Sequence, residues 1–547
     1  MKFLSSLLAV ATLTAVSLPA GAAGDATVEA LRQRIEFATE TGQLSVYGTA
    51  IVASHALPLL YGQAGYQPLW RDPAKVAELI AVVRDSYDDG LLPVDYHLTA
   101  LGRLGPLALS TPAPETVADF DILATDAYML LLYHLYFGKV DPVSIEPTWN
   151  FSTRQIQGQL AIDFVRKAIT SGRLREAVDA LRPRHWMYEH GRDVLQRHRQ
   201  ILADGGWPAV PAGETLKPGM SDPRIAALRR RLAVTGDLAG QPLDVELYDE
   251  PLLGAVRAFQ ERHRLKPDGE VGPATLAELN VPVEARIRQI QVNLERGRHV
   301  LHEIGEEDLV IVDIAGYEVR YVHGRKVTWS SRVQVGRPYR ETPIFKSEIN
   351  HVVVNPTWTV PPTILANDVL PAVKKNRGYL AQKGLEVIDR NGRRVDPDSI
   401  NWSRYTGANF PYFLRQAAGE DNALGRVKIM FPNQYSVYLH DTPSRSLFEK
   451  EDRAFSSGCI RVERPLELAQ RVLADPAWDA AALQAVVDTG ETRTIRLKKP
   501  VKVLLIYWTV DEDDDGRVVF KRDVYGRDAL LWRALNDRFD FGTRPVL

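Results

Sequence analysis

The sequence contains one cysteine, Cys459, in 547 residues. No disulfide can form within the chain, and the cysteine-rich zinc sites are excluded because they need several thiolates. No histidine pattern of the HExxH kind or of comparable spacing replaces them, so we expect no metal and no cofactor. An exposed unpaired thiol is open to oxidation in an oxidising compartment. Cys459 is therefore either buried and inert or present for its reactivity.

A large excess of charge of either sign is also missing. The formal net charge is −2, with 67 basic and 69 acidic side chains, which does not indicate nucleic acid as a partner. The acidic run DEDDDG at 511–516 matches the first half of a calcium loop. Its twelfth position, however, is Arg522, where a bidentate glutamate is required. We interpret the run as an acidic hairpin turn.

Long apolar runs are absent after the N terminus, so no later segment has the length and apolarity of a membrane span. The first residues combine Lys2, an apolar stretch over 3–18 and the small residues 20–22. This order predicts a cleavable secretory signal over 1–23, with an uncleaved membrane anchor as the alternative. The mature chain is then exported and has no transmembrane segment.

The length predicts several domains. Residues 24–204 have helical periodicity, and DILATDAYMLLLYHLYFG at 121–138 is apolar on nearly every face, which predicts a buried central helix. The Pro- and Gly-rich stretch 205–220 is typical of a linker. Residues 221–282 have the apolar stripes of three short helices, and 283–307 is a connecting helix.

From residue 308 the sequence is typical of strands. Apolar and polar residues alternate on both sides of a His-Gly turn in LVIVDIAGYEVRYVHGRKVTWSSRVQVGR, which predicts a hairpin. We expect a mainly-β domain over 308–510 with a long insertion at 364–425, followed by a hairpin and tail over 511–547. Insertions of this length are often lids or binding elements. The fold class is therefore multidomain α+β.

A histidine that could activate the thiol lies nineteen residues before it, at His440. A neighbouring base raises the thiolate fraction of a cysteine, and histidine suits this role because its pKa lies near neutrality. His440 follows an alternating strand predicted over 435–439. The loop 443–455 is long enough to return the chain so that Cys459 meets His440. The spacing alone leaves a structural histidine and a catalytic one both open.

The residues beside the cysteine also have possible chemical roles. Gly458 allows the backbone to turn before the nucleophile without a Cβ clash, and backbone N–H groups at such a turn can hold an oxyanion. Arg461 can bind a substrate carboxylate through a forked, charge-assisted pair.

The segment LHDTPSRSLFEKEDRAFSSGCIRV (439–462) resembles the signature of the L,D-transpeptidases, which is a histidine, a loop of this length, then Ser/Thr-x-Gly-Cys. VQVGRPYRETPIF and VVVNPTWTVPPTIL resemble strands of the same catalytic domain. AVRAFQ and DGEVGPAT, within 221–282, resemble the peptidoglycan-binding module of cell-wall enzymes. With the helical region, the likeness covers nearly the whole mature chain and indicates the large periplasmic subgroup with a scaffold domain. Many members have histidine where this chain has Ser457.

The resemblance implies a mechanism and a set of site residues. Cys459 would attack the carbonyl between diaminopimelate and the terminal D-alanine of a tetrapeptide stem, with His440 managing the protons. A thioester would form, and the amine of a second stem would resolve it as a cross-link. The carbonyl of Asp441 would orient His440, with the Asp441 side chain as a triad acid the alternative. Trp358 and Tyr438, together with Ser457 and Arg461, would line the substrate pocket. Acylation by carbapenem-type β-lactams and a periplasmic location are also implied.

Two other functions remain open at this stage. A cell-wall cysteine peptidase or amidase would use the same residues and give the acyl group to water. A non-catalytic peptidoglycan-binding scaffold would not need His440, Gly458, Cys459 and Arg461 together. The acceptor is a stem peptide, a free D-amino acid or a lipoprotein, and the sequence indicates no particular protein partner.

Overall fold

The computed structural model describes residues 20–110, 113–240, 245–513 and 515–539, with side chains from residue 25 onward. The predicted signal sequence lies outside the described residues except for 20–23, which begin the first helix. Within the described ranges, no helix is both long enough and apolar enough to cross a bilayer. The chain divides into two compact units, 1–139 with 154–182 and 537–547, and 140–153 with 183–536.

The first unit is helical around α5 (Pro114–Phe137), whose side chains are buried from Ile122 to Leu135. Two acidic residues of this helix are fully buried and accept backbone hydrogen bonds: Asp121 from the N–H groups of Leu69 and Trp70, and Asp126 from that of Ala53. These bonds satisfy carboxylates that would otherwise be costly to bury. The helices as far as residue 203 are α1 (Ala20–Thr41), α2 (Leu57–Gln63), α3 (Pro73–Asp85), α4 (Leu98–Ser110), α5 (Pro114–Phe137), α6 (Pro142–Ile145), α7 (Gly158–Ser171), α8 (Leu174–Leu181) and α9 (Trp186–Ala203). The short strands β1 (Ser45–Val46) and β2 (Thr49–Ala50) pair with each other.

The second unit contains a three-helix module, formed by α10 (Arg224–Val234), α11 (Glu250–Arg262) and α12 (Pro273–Leu279). The Asp249 side chain caps α11 by accepting the Leu252 N–H. The core of the module also contains Val210 and Leu216 from the preceding stretch. The predicted apolar stripes are buried against each other in this core, and their residues are Ile225, Leu228, Leu232, Leu252, Val256 and Phe259. Helix α13 (Val283–Val300) follows the module and packs against α9, which belongs to this second unit.

A nine-stranded sheet forms the centre of the second unit, in the order β13-β5-β14-β12-β11-β6-β15-β3-β4. The sheet closes on itself because β4 also pairs with β5. The strands are β3 (Leu309–Asp313), β4 (Glu318–His323), β5 (Lys326–Gly336), β6 (Phe345–Val354), β7 (Trp358–Thr359), β8 (Leu385–Ile388), β9 (Arg394–Val395), β10 (Phe413–Gln416), β11 (Val427–Met430), β12 (Leu439–His440), β13 (Ala454–Ser456), β14 (Ile460–Val462), β15 (Arg493–Ile506), β16 (Val510–Glu512) and β17 (Val518–Phe520). The chain is thus a multidomain α+β protein, which confirms the predicted fold class.

The segment between β6 and β11 has its own sheet, β7-β10-β8-β9, and its own apolar core. That core includes Val373, Val387, Trp402 and Leu414. Its helical segments are α14 (Pro362–Ile364), a π-helical turn over Leu365–Val369, α15 (Leu370–Lys375) and α16 (Tyr379–Gln382). The insertion is therefore a folded subdomain, although its sequence is polar and mixed.

The C-terminal part of the second unit adds α17 (Pro465–Leu473), α18 (Ala480–Thr489) and α19 (Arg527–Asn536). Strands β16 and β17 form an antiparallel hairpin at the acidic run, where Asp513 accepts the backbone N–H groups of Asp515 and Arg517. In the described ranges, no group of three or more His, Cys, Asp or Glu side chains is arranged to hold a metal ion.

One strand is shorter than the sequence predicts. Alternation favours a strand over 435–439, but β12 contains only Leu439 and His440. The Asn433 side chain accepts the N–H groups of Tyr435 and Val437 and holds a turn there. Ser436 has a φ of +57°, which is incompatible with an extended strand.

Candidate active site

The predicted base lies on β12, and the predicted nucleophile immediately precedes the neighbouring strand β14 of the central sheet. Strands β12 and β14 are parallel, and their register pairs His440 with Arg461. The Ile460 N–H donates to the Tyr438 carbonyl oxygen over 3.1 Å, so the same register extends toward Cys459. Residues two apart on a strand share a face. Cys459 therefore lies on the same face of the sheet as His440, one step along the strands.

The His440 ring has a defined tautomer. Its side chain is buried, and Nδ1 lies 2.5 Å from the Asp441 carbonyl oxygen, which can only accept a hydrogen bond. The proton is therefore on Nδ1, and Nε2 has the free lone pair. Burial, together with the charges of Arg461 and Lys428, lowers the pKa of His440 to about 3. The ring is thus neutral near pH 7, and its lone pair is at Nε2.

The Cys459 thiol is half-buried, and burial raises its pKa above the usual value. Hydrogen bonding with Tyr438 and the charges of Lys428 and Arg461 act in the opposite direction, because they favour the thiolate. The thiol donates to the Ser436 carbonyl oxygen over 3.5 Å, and within the described part of the chain it has no hydrogen bond to His440. In this conformation the site holds a thiol and a neutral imidazole.

The turn that carries the nucleophile is held by side-chain hydroxyls. Gly458 has a φ of +113°, a conformation that favours glycine. The Ser456 hydroxyl donates to the Cys459 carbonyl over 2.6 Å and accepts the Gly458 N–H over 3.1 Å. The Thr342 hydroxyl donates to the Gly458 carbonyl over 2.9 Å. The Cys459 N–H has no acceptor among the described residues, so it is available to an incoming oxygen.

Thr342 connects this turn to the C-terminal segment. Its hydroxyl also accepts the Gly336 N–H, and its own N–H donates to the Tyr525 hydroxyl. Tyr525 in turn donates to the Gly336 carbonyl over 2.7 Å. The geometry of the turn that carries Cys459 therefore depends on Tyr525, which lies 66 positions after that cysteine in the chain.

Arg461 is a half-buried cation with spare hydrogen-bonding capacity. Its Nη1 donates to Gln334 Oε1 over 3.1 Å, and its Nε is buried with no partner among the described residues. Burial lowers its pKa. Because a guanidinium has five donors, Arg461 can still bind an acceptor such as a substrate carboxylate.

Two of the expected pocket residues form a chain toward the sulfur. The Trp358 side chain, on β7 of the insertion, interacts with the Tyr438 hydroxyl, and that hydroxyl interacts with Cys459. The Tyr438 and His440 rings meet edge-on, with centroids 5.5 Å apart. The structure thus brings Trp358, Tyr438, His440 and Cys459 into one site.

Ser457 lies on the exposed side of the turn, where its Oγ accepts a hydrogen bond from Arg340 over 3.0 Å. Arg340 also forms an ion pair with Asp368 of the insertion, with N–O distances of 2.5 and 3.2 Å. Arg340 therefore connects the insertion to the residues beside the nucleophile.

The Asp441 carboxylate does not contact His440. Its oxygens accept the Arg426 N–H over 2.8 Å and pair with Arg445 over 2.6 Å. Only the Asp441 carbonyl is bonded to the imidazole. The side chain therefore organises the neighbouring loop and is not placed as the acid of a triad.

Comparison with protein families gives matches along most of the chain. Residues 307–503 match the L,D-transpeptidase catalytic domain, 55–195 a scaffold domain, and 221–279 a domain described as "Putative peptidoglycan binding domain". The catalytic match includes every residue of the site described above except Tyr525. Residues 307–503 are thus similar to an L,D-transpeptidase catalytic domain.

Individual proteins similar to this chain match it over shorter stretches or at lower identity. A protein of Haemophilus influenzae named "Putative L,D-transpeptidase" is 37% identical over 222 residues, which is 41% of this chain and 45% of that protein. The chain thus matches less than half the length of this curated relative. L,D-transpeptidase structures from Xylanimonas cellulosilytica and Stackebrandtia nassauensis are 15% and 13% identical. The matched regions cover 54% and 55% of this chain, and 99% and 96% of the two solved chains, with TM-scores of 0.19 and 0.21.

Residues of the candidate site that sequence reasoning missed include Lys428, Thr342 and Tyr525. Lys428 pairs with His440 in the sheet, and its ammonium lies 3.8 Å from the centre of the Tyr438 ring. A lysine between the buried Val427 and Ile429 must project from the opposite face of the strand, which was an available clue. Thr342 and Tyr525 gave no such clue, since their importance depends on contacts between distant segments.

Proposed function

We propose that the chain is a cysteine L,D-transpeptidase that cross-links peptidoglycan stems between diaminopimelate residues. The observation that carries this proposal is the placement of Cys459 beside a histidine with a free Nε2, on one face of adjacent parallel strands. Nucleophilic catalysis by cysteine needs such a base within reach. The resting thiol points to Ser436, so it must turn toward Nε2 before the reaction begins.

The acylation step then follows from these groups. The Cys459 proton moves to His440 Nε2 as the sulfur attacks the carbonyl that joins diaminopimelate to the terminal D-alanine. The unpartnered Cys459 N–H donates to the developing oxyanion, a contribution that preorganised backbone donors make efficiently. The C–N bond breaks, and the imidazolium returns its proton to the departing amine. D-alanine leaves, and the rest of the stem remains bound to Cys459 as a thioester.

The second step consumes the thioester. The side-chain amine of another stem's diaminopimelate attacks the carbonyl, His440 takes the proton that the amine loses, and the C–S bond breaks. The proton returns to the sulfur, so the thiol is regenerated and an amide cross-link remains. Arg461 binds a carboxylate of the stem, since its Nε is buried without a partner. Trp358 and Tyr438 form the walls of the pocket, and Ser457 lies at its edge.

The other parts of the chain fit this activity. The insertion acts as a lid over the site, tied to it by Arg340 and Asp368. The module at 221–279 holds the enzyme on peptidoglycan, and the enzyme works in the periplasm after export. Carbapenem-type β-lactams acylate Cys459, because their strained carbonyl replaces the acyl donor.

The decisive experiment is incubation of the mature chain with tetrapeptide muropeptides, followed by mass analysis of the products. Cross-linked dimers and free D-alanine, both lost in Cys459→Ala, are expected. Free tripeptide without dimers would identify a hydrolase instead. Absence of both products, with no adduct on exposure to a carbapenem, would favour a non-catalytic scaffold.

A further inference from the structure

A cavity of about 240 Å³ lies beside the three-helix module, and none of its described lining residues belongs to the site of Cys459. Its walls come from α9, from the module, from α13 and from the hairpin of β16 and β17. Five arginines line it: Arg197, Arg231, Arg262, Arg286 and Arg517. Asp237 is the one carboxylate among the described lining residues.

The cavity has an excess of positive charge. Asp237 neutralises Arg262, and Glu278, which lies outside the lining, pairs with Arg286. Arg517 pairs with Asp513 and Asp515 of the hairpin, which also lie outside the lining, so the excess charge comes from Arg197 and Arg231. Arg231 is almost fully buried and has only neutral partners among the described residues, the Leu279 carbonyl and a threonine hydroxyl. Asp237 and Glu278 favour its charge without bonding to it. Burying a cation with no directly bonded carboxylate is costly, and an anionic ligand would reduce that cost.

Aromatic rings hold the guanidinium groups in place. The Arg231 guanidinium lies 4.0 Å from the centre of the Trp207 ring, and that of Arg286 lies 4.5 Å from the Phe520 ring. Stacking of this kind fixes the plane of the guanidinium, so less rotamer entropy is lost when a ligand binds. The cavity is therefore organised before any ligand enters.

The two histidines of the cavity are consistent with the positive field. His198 and His263 both donate from Nδ1 to a backbone carbonyl one turn earlier. Burial and the neighbouring arginines lower the pKa of both, that of His198 to about 4. Both rings are neutral near pH 7, so the arginines supply the charge of the site.

We propose that this cavity binds a carboxylate group of a peptidoglycan stem peptide. The proposal rests on the proposed function for the nature of the ligand, and on the arginines for its chemistry. A guanidinium fork matches a carboxylate in two parallel hydrogen bonds. Arg231 and Arg262 belong to the segment that matches a peptidoglycan-binding domain, but α9, α13 and the hairpin complete the cavity. The ligand site is therefore shared by the module and the elements packed against it.

Arginine footprinting on the full chain tests this proposal. Phenylglyoxal modifies accessible arginines, and Arg197 is exposed at the cavity while Arg230, on α10, is exposed away from its lining. A tripeptide of L-alanine, γ-D-glutamate and diaminopimelate is the probe. At saturating concentration we expect it to slow modification of Arg197 at least about threefold, because the bound carboxylate would cover that guanidinium, and to leave Arg230 unchanged.

The variants and the competing ligands complete the experiment. Arg231→Gln is expected to raise the tripeptide concentration needed for half-protection about tenfold or more, because it removes a charged hydrogen-bond donor. If that variant fails to fold, Arg517→Gln at the rim is expected to raise it about two- to fivefold. Equal protection by a fully amidated tripeptide or by inorganic phosphate, or no protection at all, would overturn the proposal. Cys459 acylation by a carbapenem, measured on the same preparation, reports on the proposed function separately.

Discussion

The Nδ1 atom of His440 lies 2.5 Å from the carbonyl oxygen of Asp441, the next residue in the chain. A backbone carbonyl cannot donate, so this contact places the ring proton on Nδ1 and leaves Nε2 free on the side available to Cys459. A neutral, oriented imidazole is thereby obtained without a buried carboxylate. The arrangement provides a base that needs no third charged residue.

Loss of the imidazole should remove most of the acylation activity. His440→Ala is expected to slow acylation of Cys459 by a carbapenem about a hundredfold or more, the usual effect of removing a general base. Electrospray mass measurement of the adduct over time gives the rate. His323→Ala, a change at an exposed histidine on β4, is the matched control and should react at the unchanged rate. An undiminished rate in His440→Ala would rule out the assigned base.

The Asp441 side chain should matter for folding more than for chemistry. Asp441→Asn retains an oxygen that can accept the Arg426 N–H but loses the ion pair with Arg445. We expect acylation to fall less than about tenfold and the free energy of unfolding to fall by roughly 1 kcal/mol, as for a partly exposed ion pair. A loss of about 10⁴ in rate, as for removal of a triad carboxylate, would instead make this side chain a catalytic partner.

Thr342 should act as a positioning residue for the nucleophile turn. Thr342→Val preserves the shape of this fully buried side chain but removes the hydroxyl that joins Gly336 N–H to the Gly458 carbonyl. An unpaired buried group costs about 1–3 kcal/mol, so acylation should slow about tenfold or more if that cost falls on the reactive turn.

Rescue by a conservative change separates this role from general destabilisation. Thr342→Ser restores the hydroxyl and should recover most of the acylation rate, even though it loses a methyl group. The acylation rate and the melting temperature are measured for both variants and compared. A rate that follows only the melting temperature would contradict the positioning role.

The pH dependence of thiol reactivity follows from the raised pKa of Cys459. Only the thiolate reacts with iodoacetamide, so alkylation of the free enzyme should keep rising with pH to about pH 9 and beyond, with no plateau near neutrality. Lys428 lowers the pKa of the thiol, so Lys428→Met should shift the profile to higher pH. Lys326→Met, at an exposed position on β5, is the control and should leave it unchanged. A plateau near pH 7 would show a preformed thiolate–imidazolium pair.

The ion pair between Arg340 and Asp368 should affect substrate capture. Asp368→Asn weakens the connection between the insertion and the nucleophile turn. The expected result is a rise in KM for tetrapeptide of about two- to fivefold with kcat nearly unchanged, since exposed pairs contribute up to about 1 kcal/mol. Asp398→Asn, at another exposed acid of the insertion, provides the comparison. A fall in kcat with constant KM would place Asp368 in the chemistry and not in the lid.

The sequence predicts helices and strands most accurately in segments where a single hydrophobic periodicity dominates. The apolar stripes of Ile225, Leu228 and Leu232 are buried as a helix of that pattern requires. Near the candidate site the same reasoning failed over 435–438, because the Asn433 side chain captures the backbone in a turn that alternation cannot reveal. The sequence predicted the insertion but not its own folded core, because that core joins residues such as Val373 and Leu414 that are far apart in sequence.

What the sequence by itself determined is the multidomain α+β organisation and the family resemblance of the segment that contains His440 and Cys459, because periodicity, helix caps and a short motif are properties of neighbouring residues. Only the tertiary structure decided that Lys428 and Arg461 flank the imidazole and that Thr342 and Tyr525 hold the nucleophile turn. It alone also decided that arginines of α9, the three-helix module, α13 and the C-terminal hairpin surround one cavity. Strand register and packing between distant segments depend on the free energy of the whole chain, and a local pattern does not contain it.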